Sequence, residues 1–151
     1  MAFAKVRSLI NDIPLVDGDL NITQIAKIMA ETETTEKGEI GAVLVVRKGC
    51  LGDQATAITN CPSSDVLGIL TARDLLTKVL AKGLNPRRVR GSEVMNSPVI
   101  TISADESVEN AAEIMRTKRV GRLVVLHGGK VIGLVKAKDL VTGGYQDLPR
   151  K

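Results

Sequence analysis

Two tetrapeptides place hydrogen-bonding and charged groups at a spacing that could do chemistry. Thr71-Ala-Arg-Asp74 sets a hydroxyl three residues ahead of a carboxylate, and Lys136-Ala-Lys-Asp139 sets an ammonium there instead. A carboxylate in the first turn of a helix is stabilised by the helix dipole and can accept from both hydroxyls of a diol. The same spacing is a capping box, a Thr cap answered by an acidic third residue. From the motif alone both readings stand. Arg122 offers a planar fork for phosphate, and Lys138 a further cation. Asp139 has lysines nearby that could simply pair with it.

Little else suggests catalysis. His127 is the single histidine and adjoins Gly128-Gly129, a turn position, so it would have to be the sole base of any Ser–His–Asp or Cys–His arrangement. Cys50 and Cys61, with one histidine, make a poor metal set, and two ordinary thiols are expected rather than a disulfide. Phe3 and Tyr145 are the only aromatics, which excludes aromatic cages and base-stacking platforms. No catalytic residue and no metal site is expected.

The chain has 151 residues, 44% hydrophobic and 25% charged, an ordinary globular mixture. Its net charge of +4 is lopsided. Up to Leu84 there are 9 Lys and Arg against 10 Asp and Glu, and from Asn85 onward 12 against 7. The second half therefore suggests an anionic partner. A nucleic-acid partner is disfavoured, because the basic stretch 116–122 lacks interleaved aromatics and ends a helix, where cations suit the dipole. No apolar run approaches a membrane span and no signal-peptide pattern opens the chain. A soluble, cytoplasmic protein without membrane contact is expected.

The groups above recur because the chain repeats itself. The segment 22–29 resembles 108–115, 41–46 resembles 121–126, and 66–75 resembles 131–140, in the same order. The offset falls from 86 to 80 to 65, so the first copy is longer, chiefly between its two later strands. Leu20, Ile22, Ile25, Ile28 and Met29 share one helix face, as do Val108, Ala111, Ala112, Ile114 and Met115. Ser103 with Glu106, or Asp105, is available to cap the second of these helices. Val43–Val46 and Leu123–Leu126 read as strands buried on both faces. A turn at His127-Gly-Gly-Lys130 makes the next strand, Val131–Val135, antiparallel. A helix starts near Ala72 or Ala137, and the first runs to a cap at Gly83 before Pro86. Each copy opens with a short strand, Ile13–Val16 or Pro98–Ile102.

The expected fold is α+β: two β-α-β-β-α copies packed sheet to sheet about a pseudo-two-fold axis. Neither copy, at about 60 residues, could bury its own apolar faces. Copy one spans 1–86, with a long insert at 47–65 expected to be mobile and dispensable. Copy two spans 87–151, with 85–91 as the linker.

Two such copies, each ending in Gly-h-h-x-x-x-Asp-Leu (h, apolar), resemble a tandem pair of CBS domains, a Bateman module. The most specific elements are Gly68-Ile-Leu-Thr-Ala-Arg-Asp74 and Glu93-Val-Met-Asn-Ser-Pro-Val99. The resemblance runs from about Lys5 to Val141 and implies a stand-alone regulatory module without enzymatic activity. It implies an adenosine nucleotide (AMP, ADP, ATP or S-adenosylmethionine) as ligand in clefts between the copies, with signalling by conformational change and no required cofactor. In the main cleft, Thr71 and Asp74 would hold the ribose, Pro98, Val99, Val120 and Gly121 would line base and ribose, and Arg122 and Lys138 would meet phosphate. In the second, Pro14, Leu15, Gly41, Ala42, Lys136 and Asp139 correspond, without the hydroxyl. The family commonly dimerises, and helix residues Leu75, Leu76, Val79 and Leu80 suggest a homodimer. The alternatives are a ligand-free dimerisation or interaction protein, and, with less support, a basic nucleic-acid-associated protein.

Overall fold

Runs of Val, Leu and Ile build two three-stranded sheets in the computed structural model of the chain, which describes residues 5–32, 41–51 and 61–142. In the first sheet β1 (Leu15–Asp17) leads through α1 (Ile22–Thr32) to β2 (Ala42–Val46), which it pairs in parallel. β3 (Val66–Thr71) then pairs antiparallel to β2. α2 (Ala72–Leu75) and α3 (Gly91–Val94) follow. The second sheet repeats the plan. β4 (Thr101–Ser103) leads through α4 (Val108–Lys118) to β5 (Arg122–His127), parallel to β4, and β6 (Lys130–Lys136) pairs antiparallel before α5 (Ala137–Thr142). All five residues of β2 are buried, as its uninterrupted apolar run predicts. Gly128 and Gly129 turn the β5–β6 hairpin at φ +59° and +77°, which suits glycine in a two-residue loop.

The chain divides into two compact units, one of residues 13–99 and one of 1–12 with 100–151. The expected boundary at 86/87 is thus displaced to 99/100, and the lead-in changes sides. Hydrogen bonds give the reason. Pro86 O and Val89 O accept from Ile22 N at 3.0 and 2.9 Å, and Gly91 N donates to Leu20 O at 2.9 Å. The linker therefore closes the open start of α1 and stays with the first sheet. Conversely Val6 N donates to Glu106 O at 2.9 Å and Asn11 N to Leu134 O at 2.8 Å. The lead-in, a 3-10 turn at Val6–Leu9, thereby belongs to the second sheet.

Each unit has its own aliphatic core. In the first, Ile25, Met29, Val43, Val45 and Leu70 meet. In the second, Val6, Val108, Met115, Leu123 and Leu140 do. Both repeated methionines are core, as their helix positions predict. The expected cap of α4 is corrected: Ser107, not Ser103, caps it, accepting from Asn110 N at 3.0 Å. Ser103 Oγ instead accepts from Asp105 N in the preceding turn.

The helix after β3 also differs from a uniform α-helix. After one α turn it widens into a π turn, Leu76–Leu80, with Ala81 N bonded to Leu76 O at 2.8 Å. Gly83, at φ +71°, ends it as expected. Leu75 and Val79 face the core, whereas Leu76 and Leu80 are 59% and 57% exposed. The apolar surface first ascribed to all four residues is that of the latter pair, with Leu84 beside them in sequence and 46% exposed.

The cysteines correct the sequence reading. Cys50 and Cys61 are joined by a disulfide, with Cα atoms 5.1 Å apart, and both residues are buried. The ends of the insert are fastened rather than loose. Arg47 N donates to Asp65 O at 2.9 Å, and Lys48 Nζ lies 3.7 Å from Asp17 and 3.6 Å from Asp19. The middle of the insert, 52–60, lies outside the described residues.

Candidate functional site

Thr71 ends β3 with extended backbone and starts α2, so its side chain faces the open N–H groups of the first turn. The full capping box forms. Asp74 N donates to Thr71 Oγ1 at 3.3 Å, and Thr71 N to Asp74 Oδ2 at 2.9 Å. Thr71 Oγ1 donates to the same carboxylate oxygen at 2.9 Å. Capping is therefore one role of the motif. The Asp74 side chain remains 13% exposed, so it can also be reached from solvent.

Sequence reasoning missed a second partner of Asp74, Asn96. Its Nδ2 donates to Asp74 Oδ2 at 2.7 Å, and its backbone exchanges two bonds of 2.9 Å with Ile69 on β3. The second unit repeats this. Asn11 Nδ2 donates to Asp139 Oδ2 at 2.6 Å, its backbone exchanges bonds with Leu134, and Lys136 N donates to Asp139 at 3.1 Å. The common feature in sequence is a hydrophobic pair, Ile10 or Met95 with its neighbour, ahead of Asn and followed closely by Pro. That signal is short, and it stands in the sequence at both 9–14 and 94–98.

The motif glycines exist for this crossing. A Cβ on Gly68 would stand 2.8 Å from Asn96 O and 2.6 Å from Met95 Sδ. A Cβ on Gly133 would stand 2.6 Å from Asn11 O and clash with Ile10 Cγ2. Only a residue without a side chain lets the second backbone cross so closely.

The other predicted residues group within their own units. Ala42 pairs across the sheet with Thr71, and Gly41 O accepts from Ala72 N at 2.8 Å. Arg122 pairs with Lys136, and Gly121 O accepts from Ala137 N at 2.9 Å. Pro14 O accepts from Leu44 N at 2.9 Å, and Leu15 pairs with Leu44. Pro98 is exposed and Val99 half-buried in the segment after Asn96, and Val120 is half-buried between α4 and β5. The sequence reading drew each cleft from both copies. Inside a unit, Gly41 and Ala42 adjoin Thr71 and Asp74, and Gly121 and Arg122 adjoin Lys136 and Asp139.

Lys136 is buried, at 7% exposure. Its ammonium is held below the ordinary lysine pKa, first by burial and then by Lys138 and Arg122, with Asp139 opposing. Three cations and one carboxylate thus share the start of α5. The basic run at the end of α4 suits a helix terminus: Arg116 pairs with Glu113 at 3.3 Å, and Arg119 takes the left-handed cap position at φ +56°.

Among the described residues no group of three or more His, Cys, Asp or Glu is placed to hold a metal. No helix among them is long and apolar enough to cross a membrane.

Residues 92–143 match the family model of the CBS domain. That stretch is a CBS domain. The solved structure of a protein with CBS domains from Burkholderia ambifaria has a TM-score of 0.68 and 29% identity, covering 98% of this chain and 93% of that one. The hexameric CBS-CP12 protein of bloom-forming cyanobacteria has a TM-score of 0.71 at 19% identity, covering 91% and 69% respectively. Among curated sequences, an uncharacterised protein of Methanopyrus kandleri is 41% identical over 76 residues, 50% of this chain and 39% of that protein. With a share of 59% for two others, the chain spans about half the length of the curated relatives it matches. The CBS domain matched by the family model is the second repeat, and the first carries the same strand order and the same Asn–Asp contact. CBS-domain proteins are in general regulatory rather than catalytic.

Proposed function

We propose that this CBS-domain protein is a non-catalytic regulatory module that binds an adenosine nucleotide and signals by changing conformation. The observation that supports it best is the gathering of Arg122, Lys136 and Lys138 at the start of α5, with Lys136 buried. Burial first, and then the nearby Lys138 and Arg122, lower the pKa of Lys136, and a bound phosphate would relieve the repulsion between these cations. Asp74, presented at the start of α2, supplies the acceptor that a ribose diol needs. Self-association is part of the proposal, resting on exposed Leu76 and Leu80.

A second reading, a dimerisation module without a ligand, has its own support: Thr71 and Asn96 already fill Asp74 Oδ2. A thermal-shift series with adenosine, AMP, ADP, ATP, S-adenosylmethionine and a short DNA duplex separates them. A ligand at 100 times its Kd stabilises by about 2.7 kcal/mol. Calorimetry then places it. Asp74→Ala should weaken every adenosine ligand roughly 10- to 150-fold, and Arg122→Ala only the phosphorylated ones. Asp139→Ala should do little. Silence of all five adenosine compounds leaves the dimerisation reading, and a shift with duplex alone would favour the nucleic-acid one.

A further inference from the structure

Asp74 has a third partner, Lys78, on the π turn. The ammonium lies 3.6 Å from Asp74 Oδ1 and donates to Asn96 Oδ1 at 2.6 Å and to Val94 O at 3.1 Å. Asn96 Nδ2 in turn donates to Asp74 Oδ2 at 2.7 Å. The three side chains close a triangle whose corners come from α2, the π turn and the segment after α3. That last segment runs on to residue 100, where the chain passes from one unit into the other. In the other copy Asn11 and Asp139 repeat the contact, but the position 65 residues beyond Lys78 is Gly143.

Capacity makes the triangle responsive. Asp74 Oδ2 already takes three donors, Thr71 N, Thr71 Oγ1 and Asn96 Nδ2, and a carboxylate oxygen has about two lone-pair positions. Oδ1 has only the Lys78 ammonium 3.6 Å away, so a diol that engages both carboxylate oxygens must displace a donor from Oδ2. Thr71 is held in place by the chain, three residues away. Asn96, an exposed residue from a separate segment, is the donor free to leave.

We propose that Lys78 and Asn96 are positioning residues that clasp the 91–99 segment to Asp74, and that a ligand hydroxyl taking Asp74 opens the clasp. The clasp itself is independent of the nucleotide reading, and only the ligand-driven opening rests on it.

Amide hydrogen exchange on the full chain, read by NMR at positions 69 and 96, tests this. Those two amides bond reciprocally across the crossing and report how firmly it is held. Without ligand, Asn96→Ala and Lys78→Met should each speed exchange at both positions roughly tenfold, the worth of one ordinary hydrogen bond, while the core of β5 is unchanged. Thr71→Ala, which removes the cap but leaves the clasp, should lower Tm without singling out these amides. Adenosine, which carries the diol and no phosphate, should speed the same two amides in the wild type and add nothing in Asn96→Ala. Unchanged exchange in both clasp variants overturns the clasp. Binding of adenosine that leaves the two amides unchanged or slowed overturns the opening. Absence of binding by adenosine, AMP, ADP, ATP and S-adenosylmethionine alike overturns the opening together with the nucleotide reading, while the ligand-free variants still decide the clasp.

Discussion

Asn11 donates its side-chain amide to Asp139 across 2.6 Å, although 128 residues separate them. The same amide reaches Leu134 O at 3.3 Å, and Asn11 is buried. The contact pins the lead-in to β6 and explains why residues before Ile13 belong to the second unit. Asn96 performs the same office for β3.

Removing a buried donor strands its acceptors. Asn11→Ala should therefore destabilise the protein by about 1–3 kcal/mol, seen as a lower urea midpoint. Asn96→Ala should cost less, because Asn96 is exposed and water can replace it. Equal losses would show that burial is not what distinguishes the two.

Gly68→Ala and Gly133→Ala should each lose about 1–3 kcal/mol, since the added methyl meets crossing backbone, Asn96 O or Asn11 O, as well as the Met95 or Ile10 side chain. Gly49→Ala, where nothing lies within 4 Å, should stay within about 0.5 kcal/mol. Chemical denaturation of the three variants side by side checks the contrast.

Lys136 carries a pH signature. Its folded pKa is lowered by burial and by Lys138 and Arg122, so between that value and 10.5 the unfolded chain binds the extra proton. Stability therefore gains from this group as pH rises through that window. Lys136→Met should be more stable than wild type at neutral pH, with the advantage shrinking toward pH 10.5. Melting curves across the alkaline range read it, and an advantage that grows with pH would contradict the assignment.

Closing the 11-residue separation between Cys50 and Cys61 restricts the unfolded chain. Chain-entropy arithmetic gives about 2–3 kcal/mol. Cys50→Ser with Cys61→Ser, or reduction by dithiothreitol, should lower stability by that order, with two thiols titrating only after reduction, even in denaturant. Thiols that titrate in the untreated native protein would count against the bond.

Leu76 and Leu80 are exposed apolar side chains on the π turn. Light scattering should report a mass above the 16.1 kDa of one chain. Leu76→Glu with Leu80→Glu should reduce that mass toward the monomer. A wild type already monomeric at micromolar concentration would remove the self-association proposal.

The repeat, the two sheets, the buried central strands and the Gly128-Gly129 hairpin were all legible in the residues, because each is written in local pattern. Helical spacing, uninterrupted apolar runs and paired glycines act over a few neighbours, and two copies of the same pattern made the reading firmer. The Thr71–Asp74 cap was equally local. What tertiary structure alone decided is which distant segment meets which. An isolated Asn has no period, so nothing near Asn11 announced Asp139, and the lead-in was assigned to the wrong copy. The linker stayed with the first sheet because the start of α1 needed carbonyl acceptors, a demand visible only once the chain is folded. Cys50 and Cys61 became partners because β2 and β3 bring the ends of the insert together, and composition alone favoured free thiols. Lys136 met Arg122 through strand register, which sets neighbours across a sheet by pairing rather than by distance along the chain.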